Sequence, residues 1–173
     1  MFGDLRRSRR VAYTAAFIGL ITLGGWISVP FVPVPFTLQT FFVLLAAAVM
    51  KRDAVIPVAL YVALGALGLP VFHNGIAGFG VLLGPTGGYL LGFIPAALLA
   101  GMAYESRAES RAVLLRIAGL AGAALLILLC GVAWLVVSTG MAPAAGFILG
   151  MAVFLPGEAA KVGAVYLVGR QLS

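Results

Sequence analysis

The chain has 173 residues, of which 63% are hydrophobic and only 9% are charged, and its mean hydropathy is +1.16. Soluble domains carry about 25% charged and about 45–50% apolar residues, so a soluble fold is excluded. An all-α integral membrane bundle is expected, forming one transmembrane domain over residues 1–173, with length for about six helices of ~20 residues.

The net charge of +6 invites a nucleic-acid partner, but the placement of the charges argues against one. Arg6, Arg7, Arg9 and Arg10 precede the first apolar segment, and Lys51 and Arg52 separate the second from the third. Arg107, Arg111 and Arg116 surround the break between the fourth and fifth, and Arg170 lies near the end. These are alternate connections of a six-pass chain, and the positive-inside rule makes their side cytoplasmic. Both termini are then expected on that side. Asp4, Asp53, Glu105 and Glu109 lie in or beside the same stretches. The exceptions are Glu158 and Lys161.

In chain order, the basic start is followed by a long apolar run without a small-residue cleavage motif, which predicts a retained first helix over Ser8 to Ile27. It carries Ala12-x-x-x-Ala16 and Ala15-x-x-x-Gly19. Small residues four apart let another helix approach closely, within the bundle or from a separate membrane subunit. Prolines 30, 33 and 35 then forbid a regular helix over Val29 to Phe36. An apolar non-helical segment needs protein or water around it, so a capping or re-entrant loop is expected. Thr37 is the N-cap candidate for a second, short helix reaching Met50. Gln39 places a donor and an acceptor at its outer end.

Lys51-Arg52-Asp53 predicts a tight turn, and the third helix is expected over Ala54 to Leu69 with Pro57 in its first turn. The connection from Pro70 to Gly88 is 19 residues long and has six glycines between positions 75 and 88. Its only titratable residue is His73, the sole histidine of the chain. Such a loop is expected to act as a lid or binding loop. Its Gly84-Pro85-Thr86-Gly87-Gly88 end lacks the lysine and hydroxyl of a P-loop. The fourth helix is predicted over Tyr89 to Tyr104, with Gly92 and Pro95 bending it. A charged loop from Glu105 to Arg111 follows, then a fifth helix over Ala112 to Val137 and an outer turn from Ser138 to Pro143. Cys130, the one cysteine, reads as a small core residue. No metal-ligand cluster is present, and no internal repeat suggests an inverted-repeat transporter complete in one chain.

The last apolar stretch, Ala144 to Arg170, is too long for one straight crossing at ~1.5 Å per residue. Pro156-Gly157 is its natural break, which makes Ala144 to Leu155 an embedded outer piece and starts the final helix near Pro156. Glu158 and Lys161 share one face of that helix. Within a membrane each costs roughly 2.5–3.5 kcal/mol on insertion scales, and such residues pair, line a cavity or bind something polar.

Several motifs converge on one family. Val34-Pro35-Phe36-Thr37-Leu38-Gln39-Thr40, Gly68-Leu69-Pro70-Val71-Phe72, Gly84-Pro85-Thr86-Gly87-Gly88-Tyr89-Leu90-Leu91-Gly92-Phe93 and Pro156-Gly157-Glu158-x-x-Lys161 resemble the BioY family. These are the biotin-binding substrate-specific (S) components of energy-coupling factor (ECF) transporters. The resemblance runs from Val11 to Leu172 in order. It implies six helices with cytoplasmic termini in the cell membrane, and biotin captured near the outer surface. It also implies docking of the coupling transmembrane subunit on the small-residue motif, to which Ala12 and Ala16 correspond. ATP would be hydrolysed by partner ATPase subunits, with no cofactor and no enzymatic step in this chain. Two positions depart from the family pattern. Glu158 stands where Asp is usual, and no arginine follows Tyr89 at the start of the fourth helix.

Biotin has an apolar bicycle and valeryl chain, a ureido group and a carboxylate. A pocket for it needs aromatic walls and a few placed polar groups. Phe36, Phe72, Phe79 and Tyr89 are the expected walls. Asn74, Gln39 and Thr86 can serve the ureido group. Lys161 near a helix N-terminus suits the carboxylate. Glu158 is either an acceptor for a ureido N–H or the partner of Lys161. Plainer roles stay open: a turn residue for Asn74, a bundle hydrogen bond for Gln39, an interfacial aromatic for Tyr89, and a purely mutual pair for Glu158 and Lys161. Another small vitamin or a biotin precursor is the alternative ligand. An enzyme using Glu158 as base lacks a second acid, histidine or metal beside it.

Overall fold

The computed structural model describes residues 2–105 and 112–172. Helix α1 covers Phe2–Trp26 and runs into a two-residue strand, β1 (Ser28–Val29). The proline-rich stretch turns back as β2 (Phe36–Thr37), which pairs antiparallel with β1, Ser28 opposite Thr37 and Val29 opposite Phe36. The expected non-helical cap is therefore a hairpin. Helix α2 (Gln39–Met50) follows, then a 3-10 turn at Lys51–Ala54 and α3 (Val55–Ala66).

Helices α2 and α3 have 12 residues each. At ~1.5 Å per residue each reaches about 18 Å, short of a hydrocarbon core of about 30 Å. The hairpin and the chain beyond α3 make up the difference at one end of the bundle. That end holds short stretches of irregular backbone, in which Val34 and Phe72 are buried while Val32 and Leu67 are largely exposed.

Two predicted boundaries are corrected here. Thr37 is not the N-cap of α2; Leu38 is, without a side-chain cap bond. Thr37 is used instead in the strand pair with Ser28. The third helix ends at Ala66 rather than Leu69. Gly68 adopts φ +104°, and the amides of Gly68 and Leu69 bond back to Gly65 and Leu64 at 3.2 and 3.1 Å. This is a glycine C-cap of Schellman type, which stops a helix whatever apolar residues follow.

The long connection is partly ordered as a 3-10 turn at His73–Gly75 and a short helix, α4 (Phe79–Leu83). Helix α5 (Gly87–Glu105) contains Pro95. The basic and acidic residues Arg107, Glu109 and Arg111 of the predicted charged loop lie outside the described residues. Helix α6 covers Ala112–Thr139, so Ser138 and Thr139 belong to it and not to the predicted outer turn. Their hydroxyls bond back to the Leu135 carbonyl at 3.3 and 2.6 Å, the back-bonding that Ser and Thr make within a helix.

The final segment follows expectation at Pro156 and departs from it just before that point. Helix α7 (Pro143–Phe147), a π turn at Ile148–Ala152 and helix α8 (Leu155–Leu172) follow one another. Together they make one helical track over Pro143–Gln171. Within that track the regular α-helix restarts at Leu155, beside the expected break at Pro156. Proline lacks the N–H that would bond to the carbonyl four residues back. The ladder accommodates this one turn earlier, where the Val153 amide reaches the Ile148 carbonyl at 3.3 Å in the wider π pattern.

Fully buried alanines pack α2 against α5: Ala46 and Ala47 on one, Ala96, Ala97 and Ala100 on the other. Small side chains let the two backbones approach, which is how helices associate where no water drives them together. Among the described residues three tracks, Gly87–Glu105, Val113–Thr139 and Pro143–Gln171, are long and apolar enough to cross a membrane. The protein is an all-α membrane protein.

Candidate functional site

Lys161 lies on the second turn of α8, facing the start of α2 and the end of the hairpin. Its Nζ donates to the Thr37 carbonyl at 2.7 Å, to Thr40 Oγ1 at 2.8 Å and to Glu158 Oε1 at 2.7 Å. An ammonium has three protons, and each has a partner. Thr40 Oγ1 in turn donates to Glu158 Oε1 at 2.9 Å. The three side chains thus form a closed triangle across α2 and α8. The side chains of Lys161 and Glu158 are only 15% and 7% exposed. Glu158 Oε2 is buried and has no partner among the described residues. A carboxylate oxygen left bare in a buried site is costly, and it is the acceptor that the triangle leaves over.

Gln39, on the first turn of α2, reaches the other way. Its Nε2 donates to the Tyr61 hydroxyl of α3, and its Oε1 accepts from Thr37 Oγ1 at 3.1 Å. Tyr61 packs edge-on against Phe72 at 5.6 Å between centroids, and both are fully buried. Gln39 therefore makes the bundle hydrogen bond considered above while also lining a cavity.

That cavity, about 50 Å³, is bounded by Pro35, Thr37, Gln39 and Thr40 on one side, Thr86, Tyr89, Leu90 and Phe93 on another, and Phe154, Glu158 and Lys161 on the third. His73 closes it from the long connection, and Ile127 and Leu128 of α6 complete the wall. Tyr89 is fixed by its hydroxyl, which donates to the Gly150 carbonyl of the π turn at 2.7 Å. Its ring lies where a Cβ on Gly131 would stand, so the bare α6 backbone makes room for it. Phe154 stacks on Phe36 at 4.2 Å and 20°, with Phe31 edge-on at 6.3 Å.

The structure thus gathers Gln39, Thr86, Tyr89, Glu158 and Lys161 around one cavity. Phe36 stands behind Phe154 rather than on the wall. Phe72 is buried away from the cavity, and Phe79 is 62% exposed. Asn74 adopts φ +55° and accepts a 2.5 Å bond from Ser28 Oγ, which ties the turn to the hairpin instead of turning toward the cavity. Ala12 and Ala16 are exposed on α1. Cys130 is half-buried beside Gly92 and Trp134. Thr40, His73 and Phe154 were not among the sequence candidates. Thr40 and His73 are polar residues in apolar surroundings and could have been flagged as Glu158 was. Phe154 carries no such signal.

Ionic pairs elsewhere are of a different kind. Arg10–Asp53 and Arg52–Glu105 lie at the opposite end of the helices, with all four side chains more than one-third exposed, Glu105 least at 36%.

The fold is shared with a crystal structure of the S-component for biotin from an ECF-type ABC transporter, at a TM-score of 0.84 and 24% identity, covering 98% of this chain and 93% of that one. A protein of Pyrococcus horikoshii described as a probable biotin transporter BioY is 36% identical over 167 residues, 96% of this chain and 97% of its own length. The biotin transporter BioY of Thermotoga maritima is 52% identical over 100 residues, which spans 57% of this chain and 59% of the relative. The family described as BioY matches residues 3–173, a stretch holding the hairpin, the triangle and the cavity alike, and the chain belongs to the BioY family.

Proposed function

We propose that this protein is the S component of an ECF-type transporter, which captures biotin from outside the cell and delivers it across the plasma membrane. The relatives named above are described as biotin transporters, and the chain holds the means to meet such a ligand. The observation that carries the reading is the buried Lys161–Glu158 pair at the cavity, joined by Thr40 and leaving Glu158 Oε2 free. A buried ion pair seldom contributes net stability, so its presence here asks for a ligand. In this reading Lys161 meets the biotin carboxylate. Glu158 Oε2 is free for a ureido N–H, with Gln39 and Thr86 beside it and Tyr89 and Phe154 as walls. Asn74 and Phe36 act from behind, through the hairpin.

Drug-sized ligands fill pockets of about 300–1,000 Å³, so a cavity of about 50 Å³ has to widen for biotin to enter. The hairpin is the part to move. It is a two-residue strand pair, held to α8 by the Lys161 bond to the Thr37 carbonyl, and a carboxylate replacing that carbonyl on Lys161 would release it.

The chain crosses the membrane six times with both termini cytoplasmic, through α1, α2, α3, α5, α6 and the α7–α8 track. It forms one domain over residues 1–173. The coupling transmembrane subunit docks on the exposed Ala12 and Ala16 face of α1, and ATPase subunits bound to that subunit supply the energy. The test is calorimetric titration of the purified protein with biotin, followed by competition with desthiobiotin and with unrelated vitamins. Tight binding of biotin, undisturbed by unrelated vitamins, is expected. Preferential binding of another vitamin would keep the architecture and overturn the ligand.

A further inference from the structure

His73 is the one polar wall of the cavity that no role above uses. It stands on a 3-10 turn with Asn74 at φ +55° and Gly75 at φ +74°. That turn is anchored on both sides. Asn74 takes the Ser28 hydroxyl, and Phe72 is buried over Gly65 and against Tyr61. The imidazole is thus held at the cavity by its neighbours' contacts, not its own. Both ring nitrogens are shielded, and neither has a hydrogen-bond partner among the described residues. Buried polar atoms are ordinarily satisfied, and an unsatisfied one at a cavity points to a ligand. Burial pushes the imidazole below its ordinary value, so at neutral pH the ring is uncharged and offers one N–H donor and one lone-pair acceptor.

We propose that His73 is a specificity-determining residue, one of whose ring nitrogens hydrogen-bonds the neutral ureido group of the captured ligand once the cavity widens to admit it. The inference rests on the biotin reading above and deepens it. Charge divides the labour. A carboxylate seeks a cation, and Lys161 is the cation of this wall. A ureido group presents N–H donors and a carbonyl acceptor without net charge, which suits a neutral imidazole in either tautomer. A single polar contact that the wrong ligand leaves unpaired discriminates more strongly than added apolar surface does.

The test compares biotin, 2-iminobiotin, in which the ureido carbonyl becomes an imine, and biotinol, in which the carboxylate becomes an alcohol. Each is titrated into wild type, His73→Ala, His73→Gln and His73→Phe, with thermal unfolding of each variant in the same detergent. Loss of one such bond corresponds to roughly tenfold in affinity. His73→Ala and His73→Phe are expected to lose about that for biotin. His73→Gln, which keeps a donor and an acceptor, is expected to recover most of it. The His73→Ala loss should persist with biotinol, since the carboxylate is not the group contacted, and should change with 2-iminobiotin. His73→Phe binding biotin as wild type does, or a His73→Ala loss that disappears with biotinol, would overturn the assignment. Wild type that binds no biotin overturns the ligand reading itself. Wild type and His73→Ala that bind biotin equally overturn only the role of His73.

Discussion

The two ends of this bundle handle charge in opposite ways. At the end carrying the start of α1, Arg10 and Asp53 meet at 3.3 Å with both side chains 52% exposed, and Arg52 meets Glu105 at 2.5 Å. At the hairpin end, Lys161 and Glu158 meet at 2.7 Å with the pair nearly enclosed. The first kind is largely exposed, and an exposed ion pair contributes about 0–1 kcal/mol. The second has lost its hydration and recovers it only through a full set of partners. Lys161 has that set and Glu158 has half of it. On the proposed reading, the difference separates charges that orient a membrane protein from charges kept for a ligand.

The largest expected effect comes from breaking the enclosed pair on one side only. Lys161→Met leaves Glu158 buried without its cation, and removing one partner of a buried pair costs about 3–5 kcal/mol. On the proposed reading, biotin affinity should fall by more than about a hundredfold, because among the described residues Lys161 is the lysine or arginine that lines the cavity. The double variant Lys161→Met with Glu158→Leu removes both charges. Apolar replacement of a buried pair is often neutral or stabilising, so its thermal unfolding in detergent should return to the wild-type range while binding stays lost. That combination, restored stability without restored binding, is the signature of a pair held for a ligand. Full stability in Lys161→Met alone would break the comparison.

A smaller effect is expected where the hairpin end is held by a neutral bond. Tyr89→Phe removes the donor to the Gly150 carbonyl and leaves a buried acceptor short of one partner, a loss of about 1–3 kcal/mol. Because Tyr89 also lines the cavity, its ring must stay in place for binding to survive. Equilibrium unfolding should report the stability loss. A biotin titration should show a smaller change than any substitution of Lys161.

How much of this was legible in the sequence follows from what kind of contact is involved. Glu158 and Lys161 stood out because charge in an apolar run is local information, readable at a spacing of three. Their partners were not readable, since Thr40 and Thr37 lie 121 and 124 positions away from Lys161. The non-helical cap followed from three prolines, but its pairing as a hairpin depends on Ser28 finding Thr37, which also removed Thr37 from the capping role its type favours. The end of α3 was misjudged for a related reason. Gly68 looked like one glycine among several, and only its positive φ made it a stop. The restart of the last helix beside Pro156 was legible, but the π turn at Ile148–Ala152 was not, because proline signals a break without saying whether the ladder will open or widen. Asn74 and Phe36 were right in neighbourhood and wrong in face, since loop side chains have no period from which to read their direction.

The smallest expected effect is at the other end, and it is the control that gives the rest meaning. Arg52 and Glu105 are at 2.5 Å, a closer approach than the enclosed pair makes, so distance alone would rank them stronger. Exposure reverses the ranking. Arg52 is 57% and Glu105 36% exposed on their side chains, so each charge keeps much of its hydration when the other is removed, and salt screens what remains. Arg52→Gln should therefore shift stability by less than about 1 kcal/mol, with a shift that shrinks further at high ionic strength, and should leave biotin affinity unchanged. The same salt series on wild type and on Lys161→Met should leave their difference nearly intact, because a pair shut away from solvent is screened little. A salt-sensitive difference at Lys161, matched by a salt-insensitive one at Arg52, would mean that enclosure does not decide which pair matters, and the contrast between the two ends would have to rest on geometry instead.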